Sequence, residues 1–157
     1  MKLYYSPGAC SLASHIVARE ADIAIELEKV DMGSKRTQGG IDFLTINPKG
    51  NAGFINSDLH TSYAPLFNPA TPGLIRSEKR EVLFKSYPLV ERSLTHQPWL
   101  LGAQFSVADA YLFTVTNWAR HVGMDLSRLP AITAFQQRAV GRPHVRAALL
   151  AEGLLRD

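Results

Sequence analysis

A single cysteine, Cys10, stands among 157 residues. This excludes an internal disulfide and any zinc site built on clustered cysteines, and it suits a reducing compartment. The five histidines, at 15, 60, 96, 121 and 144, lack metal-ligand spacing, so no metal is expected. Seventeen Lys and Arg against fourteen Asp and Glu leave a formal charge of only +3, scattered along the chain. Without a basic stripe interleaved with aromatics, nucleic acid is not an expected partner. Long apolar runs are missing too. The longest, residues 147–151, falls far short of the roughly 18 needed to cross a bilayer. Pro7 and Gly8 interrupt the segment where the apolar stretch of a signal peptide would form. These absences predict a soluble cytoplasmic protein with no membrane partner. No repeat or low-complexity segment is visible.

What is present is ordinary for a globular chain: 46% hydrophobic and 20% charged residues, enough for one domain or two small ones with a real core. The first twenty residues, MKLYYSPGACSLASHIVARE, read as strand, turn and helix. Residues 2–5 have strand character. Ser6-Pro7-Gly8 is a turn, because Pro7 fixes φ and Gly8 permits positive φ. Beyond it Leu12, Ile16 and Glu20 share a helical face, with Ala13 and Val17 beside them. Cys10 and Ser11 then fall at the helix start, where outward N–H groups and the positive end of the dipole favour a thiolate and nearby anions. Cys10 also fits the role of a small buried apolar residue.

Residues 23–31 alternate and predict a second strand, parallel to the first across the helix, with a right-handed connection. Residues 33–40 are polar and basic and read as a loop. Residues 41–46 suit a short helical turn before Asn47-Pro48-Lys49-Gly50, which is turn chemistry. Two strands make a marginal sheet, and further strands are expected next. They do not come. Residues 52–67 have Phe54, Ile55, Leu59 and Tyr63 at helical spacing, ending at Pro65, and everything beyond reads as helix. In residues 72–94, Leu83, Tyr87, Val90 and Leu94 form one apolar face, and Pro88 predicts a kink or break near residues 85–87. Ser106 and Asp109 form a capping box for a helix over residues 107–122, apolar nearly all round and therefore central, stopped by Gly123. Helices over 130–140 and 144–155 follow.

Three stretches carry a family resemblance: LYYSPGACSLASHI with DFLTINPKG, then FINSDLHTSYAPLF, then QFSVADAYLFTVTNWA with RPHVRAALLAEG. Together and in this order they resemble the bacterial beta-class glutathione transferases. The resemblance implies α/β plus all-α architecture: a truncated thioredoxin-like βαβ unit at residues 1–50 and a helical transferase-type domain at 51–157. It also implies a gap. In the family Asn-Pro-Lys-Gly is followed by a strand with a cis-proline, another strand, and a helix that opens on an acidic residue and Ser or Gly. Here Gly50 leads through Asn51-Ala52-Gly53 directly into the helical part. The third and fourth strands, the third helix and the beginning of the fourth are expected to be deleted.

By the same resemblance Cys10, Tyr5 and His60 are the candidate catalytic residues, and Ser11 and Lys35 the candidate glutathione-binding ones. Each has a plainer reading: Tyr5 as a strand end, Lys35 as a solvated charge, His60 as a packed histidine. Glutathione is the implied cosubstrate, with binding strongly weakened because the cis-proline and the acidic-plus-hydroxyl pair are absent. A homodimer and a small electrophilic partner are implied as well. Two alternatives stand beside the transferase: a non-enzymatic protein-binding module built on the helical domain, and a carrier of apolar molecules lined by Phe54, Tyr63 and Trp118.

Overall fold

A computed structural model describes residues 2–46 and 58–155. The Asn47-Pro48-Lys49-Gly50 turn, the positions of Phe54 and Ile55, and the expected deletion point lie outside the described residues. Two compact units divide the chain: Met1–Phe54 together with Val140–Asp157, and Ile55–Ala139.

In the first unit β1 (Lys2–Tyr5) is followed by α1 (Ser11–Glu20) and then β2 (Glu26–Asp31). The two strands are parallel, with Leu3 opposite Leu27 and Tyr5 opposite Lys29. The second strand is shorter than the alternation over 23–31 predicts. Asp22 sits at φ 51 and the Ile23 N–H caps the Ala18 carbonyl at 2.8 Å, so residues 21–25 are spent on ending α1 and turning the chain. The predicted loop over 33–40 holds a third strand, β3 (Arg36–Thr37), antiparallel to β2 and completing the order β1-β2-β3. Two residues carry too little pattern to announce a strand. The pairing is fixed by polar bonds: Asp31 Oδ1 accepts the Ser34 N–H at 2.7 Å, and Glu28 Oε1 accepts the Gly39 N–H at 2.9 Å. These bonds hold both carboxyls below the usual carboxylate range. A short α2 (Phe43–Ile46) follows, with buried Phe43 against the Tyr4 ring.

The last helix of the chain, α7 (Pro143–Ala151), also belongs to this unit and packs on α1. Leu12, Ala13 and Ile16 of α1, and Val145, Ala148 and Leu149 of α7, are buried. Arg142, the N-cap of α7, forms a fork with Glu20 at the end of α1, Nε to Oε1 at 2.7 Å and Nη2 to Oε2 at 2.5 Å. Such bidentate pairs add direction as well as charge.

The second unit holds α3 (Asp58–Phe67), α4 (Gly73–His96), α5 (Val107–Asn117), a 3-10 turn (Ala119–Val122) and most of α6 (Pro130–Val140). Helix α3 runs past Pro65 to Phe67, and buried Leu66 holds that last stretch in place. The break predicted in α4 is absent, since the helix is continuous through Pro88. The carbonyl that loses its N–H partner is that of Phe84. Phe84 and Pro88 are both on the exposed face, where solvent can serve a vacated carbonyl, while buried Leu83, Tyr87 and Leu94 hold the helix on either side. The long helix predicted over 107–122 divides at Trp118 into α5 and the 3-10 turn, stopped by Gly123 at φ 69. Residues 112–116 of α5 are all buried, though Val107 is 64% exposed. Glu91 of α4 caps α6 by accepting the Ala131 and Ile132 N–H groups at 2.8 and 2.9 Å, an acidic group at the positive helix end.

Between α3 and α4 the fully buried Tyr63 and Tyr87 hydroxyls meet at 2.5 Å. Burial pushes the Tyr63 phenol up to about 12 and the Tyr87 phenol higher still, the charge and hydroxyl of Tyr63 adding to the latter. Because the folded state holds these protons more tightly, their contribution is complete below pH 10, the unfolded value, and fades as pH rises toward 12. In an alkaline titration followed by phenolate absorbance, Tyr63 and Tyr87 are expected to ionise together with loss of near-ultraviolet circular dichroism. Ionisation of all five tyrosines around pH 10 in a folded protein would contradict this.

Candidate functional site

The strand–turn–helix segment at the front of the chain places Tyr5 at the end of β1 and Cys10 and Ser11 at the head of α1. Its turn is built by the Ala9 N–H on the Ser6 carbonyl at 3.0 Å, with Gly8 at φ 72. A side chain at Gly8 would be strained at that φ and would meet Leu154 at 3.4 Å. Cys10 is the N-cap of α1, half-buried, and its carbonyl already accepts the Ala13 N–H at 3.1 Å. Two effects oppose each other at its sulfur. Burial pushes the thiol up; hydrogen bonds from the Ser11 and Cys10 N–H groups pull it down, and burial is the larger. The helix start favours a thiolate, as expected from sequence, but does not win.

That balance has a measurable consequence. At neutral pH, iodoacetamide is expected to alkylate Cys10 more slowly in the folded protein than in urea, with the folded rate still climbing above pH 9. Faster reaction in the folded protein would overturn the assignment.

Beneath the turn lies a polar chain that sequence reasoning did not single out. The Gly8 N–H donates to Glu152 Oε2 at 2.9 Å, and His15 Nδ1 lies 3.0 Å from Glu152 Oε1. Arg19 Nε donates to His15 Nε2 at 2.9 Å. An arginine cannot accept, so His15 accepts at Nε2 and its proton sits on Nδ1, donating to Glu152. The side chains of His15 and Glu152 are fully buried. The His15 ring also lies 6.5 Å from the Tyr5 ring. Burial and the Glu152 charge together push the Tyr5 phenol up. Ser11 is buried, with a long 3.5 Å contact from its hydroxyl to the Ser6 carbonyl.

Lys35 stands apart in the β2–β3 turn, half-buried at φ 57, with its carbonyl accepting the Phe43 N–H at 2.7 Å. His60 is on α3, in the helical unit. Its Nδ1 is 2.6 Å from the Tyr111 hydroxyl of α5, and the Trp118 ring stands edge-on to it at 5.0 Å. Tyr111 is thus a second residue missed from sequence. No local spacing joins position 60 to 111, whereas His15 and Arg19 were readable as an i,i+4 pair. Among the described residues no three His, Cys, Asp or Glu side chains gather as metal ligands, and no helix is long and apolar enough to cross a membrane.

Comparison with known proteins places these residues in context. Residues 59–143 match the family described as glutathione S-transferase, C-terminal domain. The chain is 36% identical to glutathione S-transferase GstA of Escherichia coli O157:H7, in an alignment over 200 positions that covers 98% of this chain and all of that protein. Among solved structures, a ternary complex of BphK, a bacterial transferase, superimposes with a TM-score of 0.93 at 40% identity, covering 98% of this chain and 100% of that one. The bacterial beta-class enzyme of Sphingomonas chungbukensis does so with 0.91 at 31% identity, covering 99% and 100%. A sphingomonad transferase solved in complex with glutathione gives 0.90 at 31%, covering 99% and 100%.

Proposed function

The chain belongs to the glutathione S-transferase family, and we propose that it is a beta-class-like member with an internal deletion in its first domain and a weakened hold on glutathione. One observation carries this reading. The alignment that spans the Escherichia coli relative in full runs over 200 positions, and this chain has 157 residues. The motifs on either side of residues 47–57 keep their order, which supports a gap between a first domain at 1–50 and a helical domain at 51–157. On this reading the division at residue 50 is inherited, and α7 folds back onto the first unit.

Glutathione is the cosubstrate, as the glutathione complex of the sphingomonad relative supports. Cys10 and Tyr5 handle its thiol, His60 assists from the helical domain, and Ser11 and Lys35 contribute to binding. In conjugation the glutathione thiolate bonds to an electrophilic carbon and the leaving group departs with the bonding pair. In exchange the Cys10 thiolate displaces one sulfur of glutathione disulfide, giving a mixed disulfide and a glutathione thiolate. The deleted segment would have supplied the cis-proline backbone pair and the groups on the γ-glutamyl end, each charge-assisted bond worth about 1.5–3 kcal/mol. Losing several such bonds puts affinity at about millimolar or weaker. The raised Cys10 thiol fits a slow reaction.

Isothermal titration with glutathione is the test, expected to give about millimolar affinity or weaker; micromolar binding overturns the weakened site. Turnover of a test electrophile with glutathione, beside Cys10→Ala, tests the chemistry. The absence of both turnover and a mixed disulfide on Cys10 would rule out the enzyme. That outcome favours the second reading, a non-enzymatic interaction protein built on the helical domain. A homodimer belongs to the same proposal, since sheet edges left by the deletion invite pairing with a second copy. A monomer at all concentrations in sedimentation would remove it.

A further inference from the structure

Within the helical unit, the end of α5, the 3-10 turn, the loop after it and α6 enclose a cleft that the proposed function does not use. Its floor is apolar. Ala119 and Met124 are buried there, and Leu126 is half-buried. The cleft holds about 280 Å³, at the lower end for a ligand site, which fits a single ring with a short substituent. Polar groups enter from both helices. Gln136 of α6 donates its amide nitrogen to the Phe113 carbonyl at 3.3 Å and to the Thr116 hydroxyl oxygen. Those bonds occupy both amide hydrogens, so what Gln136 offers a ligand is its carbonyl oxygen, an acceptor. Asn117, the last residue of α5, adds a carboxamide that both donates and accepts. Arg120 is exposed, and its Nε donates to His121 Nε2 at 3.3 Å, so its Nη groups are the donors it presents.

The charge in the cleft is positive. Among the described residues Arg120 is the one charged side chain that lines it. Asp125, in the same loop, has its oxygens on Ser127, accepting the N–H at 2.8 Å and the hydroxyl at 2.9 Å. The carbonyl end of the 3-10 turn, which disfavours anions, is met by Arg80, whose Nη2 donates to the Val122 oxygen at 2.9 Å.

We propose that this cleft binds a small aromatic carboxylate that also carries a hydroxyl. Its ring lies on Ala119, Met124 and Leu126, its carboxylate accepts from Arg120, and its hydroxyl donates to Gln136 Oε1. The methionine sulfur favours an aromatic ring over an aliphatic chain of the same size. A ligand without the hydroxyl leaves the Gln136 oxygen facing carbon, and one without the charge forfeits the stronger, charge-assisted bond. The site stands whether or not the chain turns over glutathione.

Met124 reports on it directly. The chain has three methionines, at 1, 32 and 124, and Met124 is the one that lines the cleft. In protein with isotope-labelled methionine methyls, Met124 is assigned by the signal lost in Met124→Leu. Titration with para-hydroxyphenylacetate is expected to shift that signal with a Kd of about 0.1–1 mM, the range so few ligand atoms allow, and to leave the other two in place. Phenylacetate is expected to bind roughly threefold more weakly, and para-hydroxyphenylacetamide roughly tenfold more weakly. Arg120→Gln should weaken the acid about tenfold and bring acid and amide within about twofold of each other, because the two changes remove one interaction. Arg120 is exposed, so this variant is expected to keep its near-ultraviolet circular dichroism. Should it fail to fold, the three ligands compared on the unaltered protein decide. A Met124 signal that stays in place at about 10 mM ligand overturns the proposal, since that is well above the expected Kd. So does equal binding of acid and amide, or an unchanged affinity in Arg120→Gln.

Discussion

Replacing Glu152 by Ala is expected to cost roughly 3–5 kcal/mol, the range for breaking a buried charged partner, and to lower the melting temperature by about 10 °C. The carboxylate is fully buried and serves two donors, the Gly8 N–H at 2.9 Å and His15 Nδ1 at 3.0 Å. Truncation takes the acceptor from the fully buried His15 donor and from the half-buried Gly8 N–H. Glu152→Gln keeps the shape but does not rescue. Its carbonyl can serve Gly8 or His15, not both, so its amide must face a donor. If the amide faces His15, the imidazole could accept only by moving its proton to Nε2, where Arg19 Nε already donates at 2.9 Å. Every arrangement leaves one donor facing another. Glu152→Gln should therefore lose at least half of what Glu152→Ala loses. The same bond holds the turn before Cys10, so both variants should alkylate Cys10 faster than the unaltered protein does. A melting temperature within about 2 °C of the unaltered protein, or an unchanged alkylation rate, would show that the chain of bonds is not what fixes the turn.

Residues that act on their near neighbours were readable from sequence, and residues that act across the fold were not. Pro7 and Gly8 announced their turn because each acts through its own backbone, and the observed φ of 72 at Gly8 is what glycine permits. The α1 helix, the parallel pair of strands and the boundaries of α6 follow from periodicity and punctuation in the same way. Position 10 at the head of α1 was legible too. Its acidity was not, because burial of Cys10 depends on what packs around the turn. Glu152 lies 137 residues from His15, and nothing in a helical pattern near the C-terminus says that its carboxylate closes a turn at residue 8. His60 drew attention only through family resemblance, and the hydroxyl that meets its ring is 51 positions away. The prolines mislead for a related reason. Pro88 costs a hydrogen bond wherever it stands, but on an exposed face solvent can serve the vacated carbonyl, and the helix continues.

Asp109 shows a local signal with a consequence that is not local, and its removal is the second large effect expected. The capping box read from sequence is present at the start of α5. Asp109 Oδ2 accepts the Ser106 N–H at 2.9 Å and the Ser106 hydroxyl at 2.6 Å. Its other oxygen reaches outside the box, accepting the Leu100 N–H at 2.7 Å. With Asp109 fully buried, Asp109→Ala strands two backbone donors and a hydroxyl, and about 3–5 kcal/mol is expected, well above the ~1 kcal/mol of an ordinary cap. Asp109→Asn tests whether the second oxygen matters. If its amide faces Leu100, that N–H has no acceptor; if it faces Ser106, the hydroxyl can turn to accept but the Ser106 N–H cannot. One half-buried N–H loses its acceptor either way, at about 1–3 kcal/mol. Ser106→Ala keeps both backbone bonds and should cost about 1 kcal/mol. Urea unfolding should rank the variants Ala, Asn, then Ser106→Ala. Ser106→Ala at least as damaging as Asp109→Asn would mean that Asp109 is only a cap. Because α5 carries Tyr111 two residues beyond Asp109, the aspartate variants should also disturb the magnetic resonance shifts of the His60 ring nitrogens. A cap that acted only on helix stability would leave those shifts unchanged in the fraction of protein that remains folded.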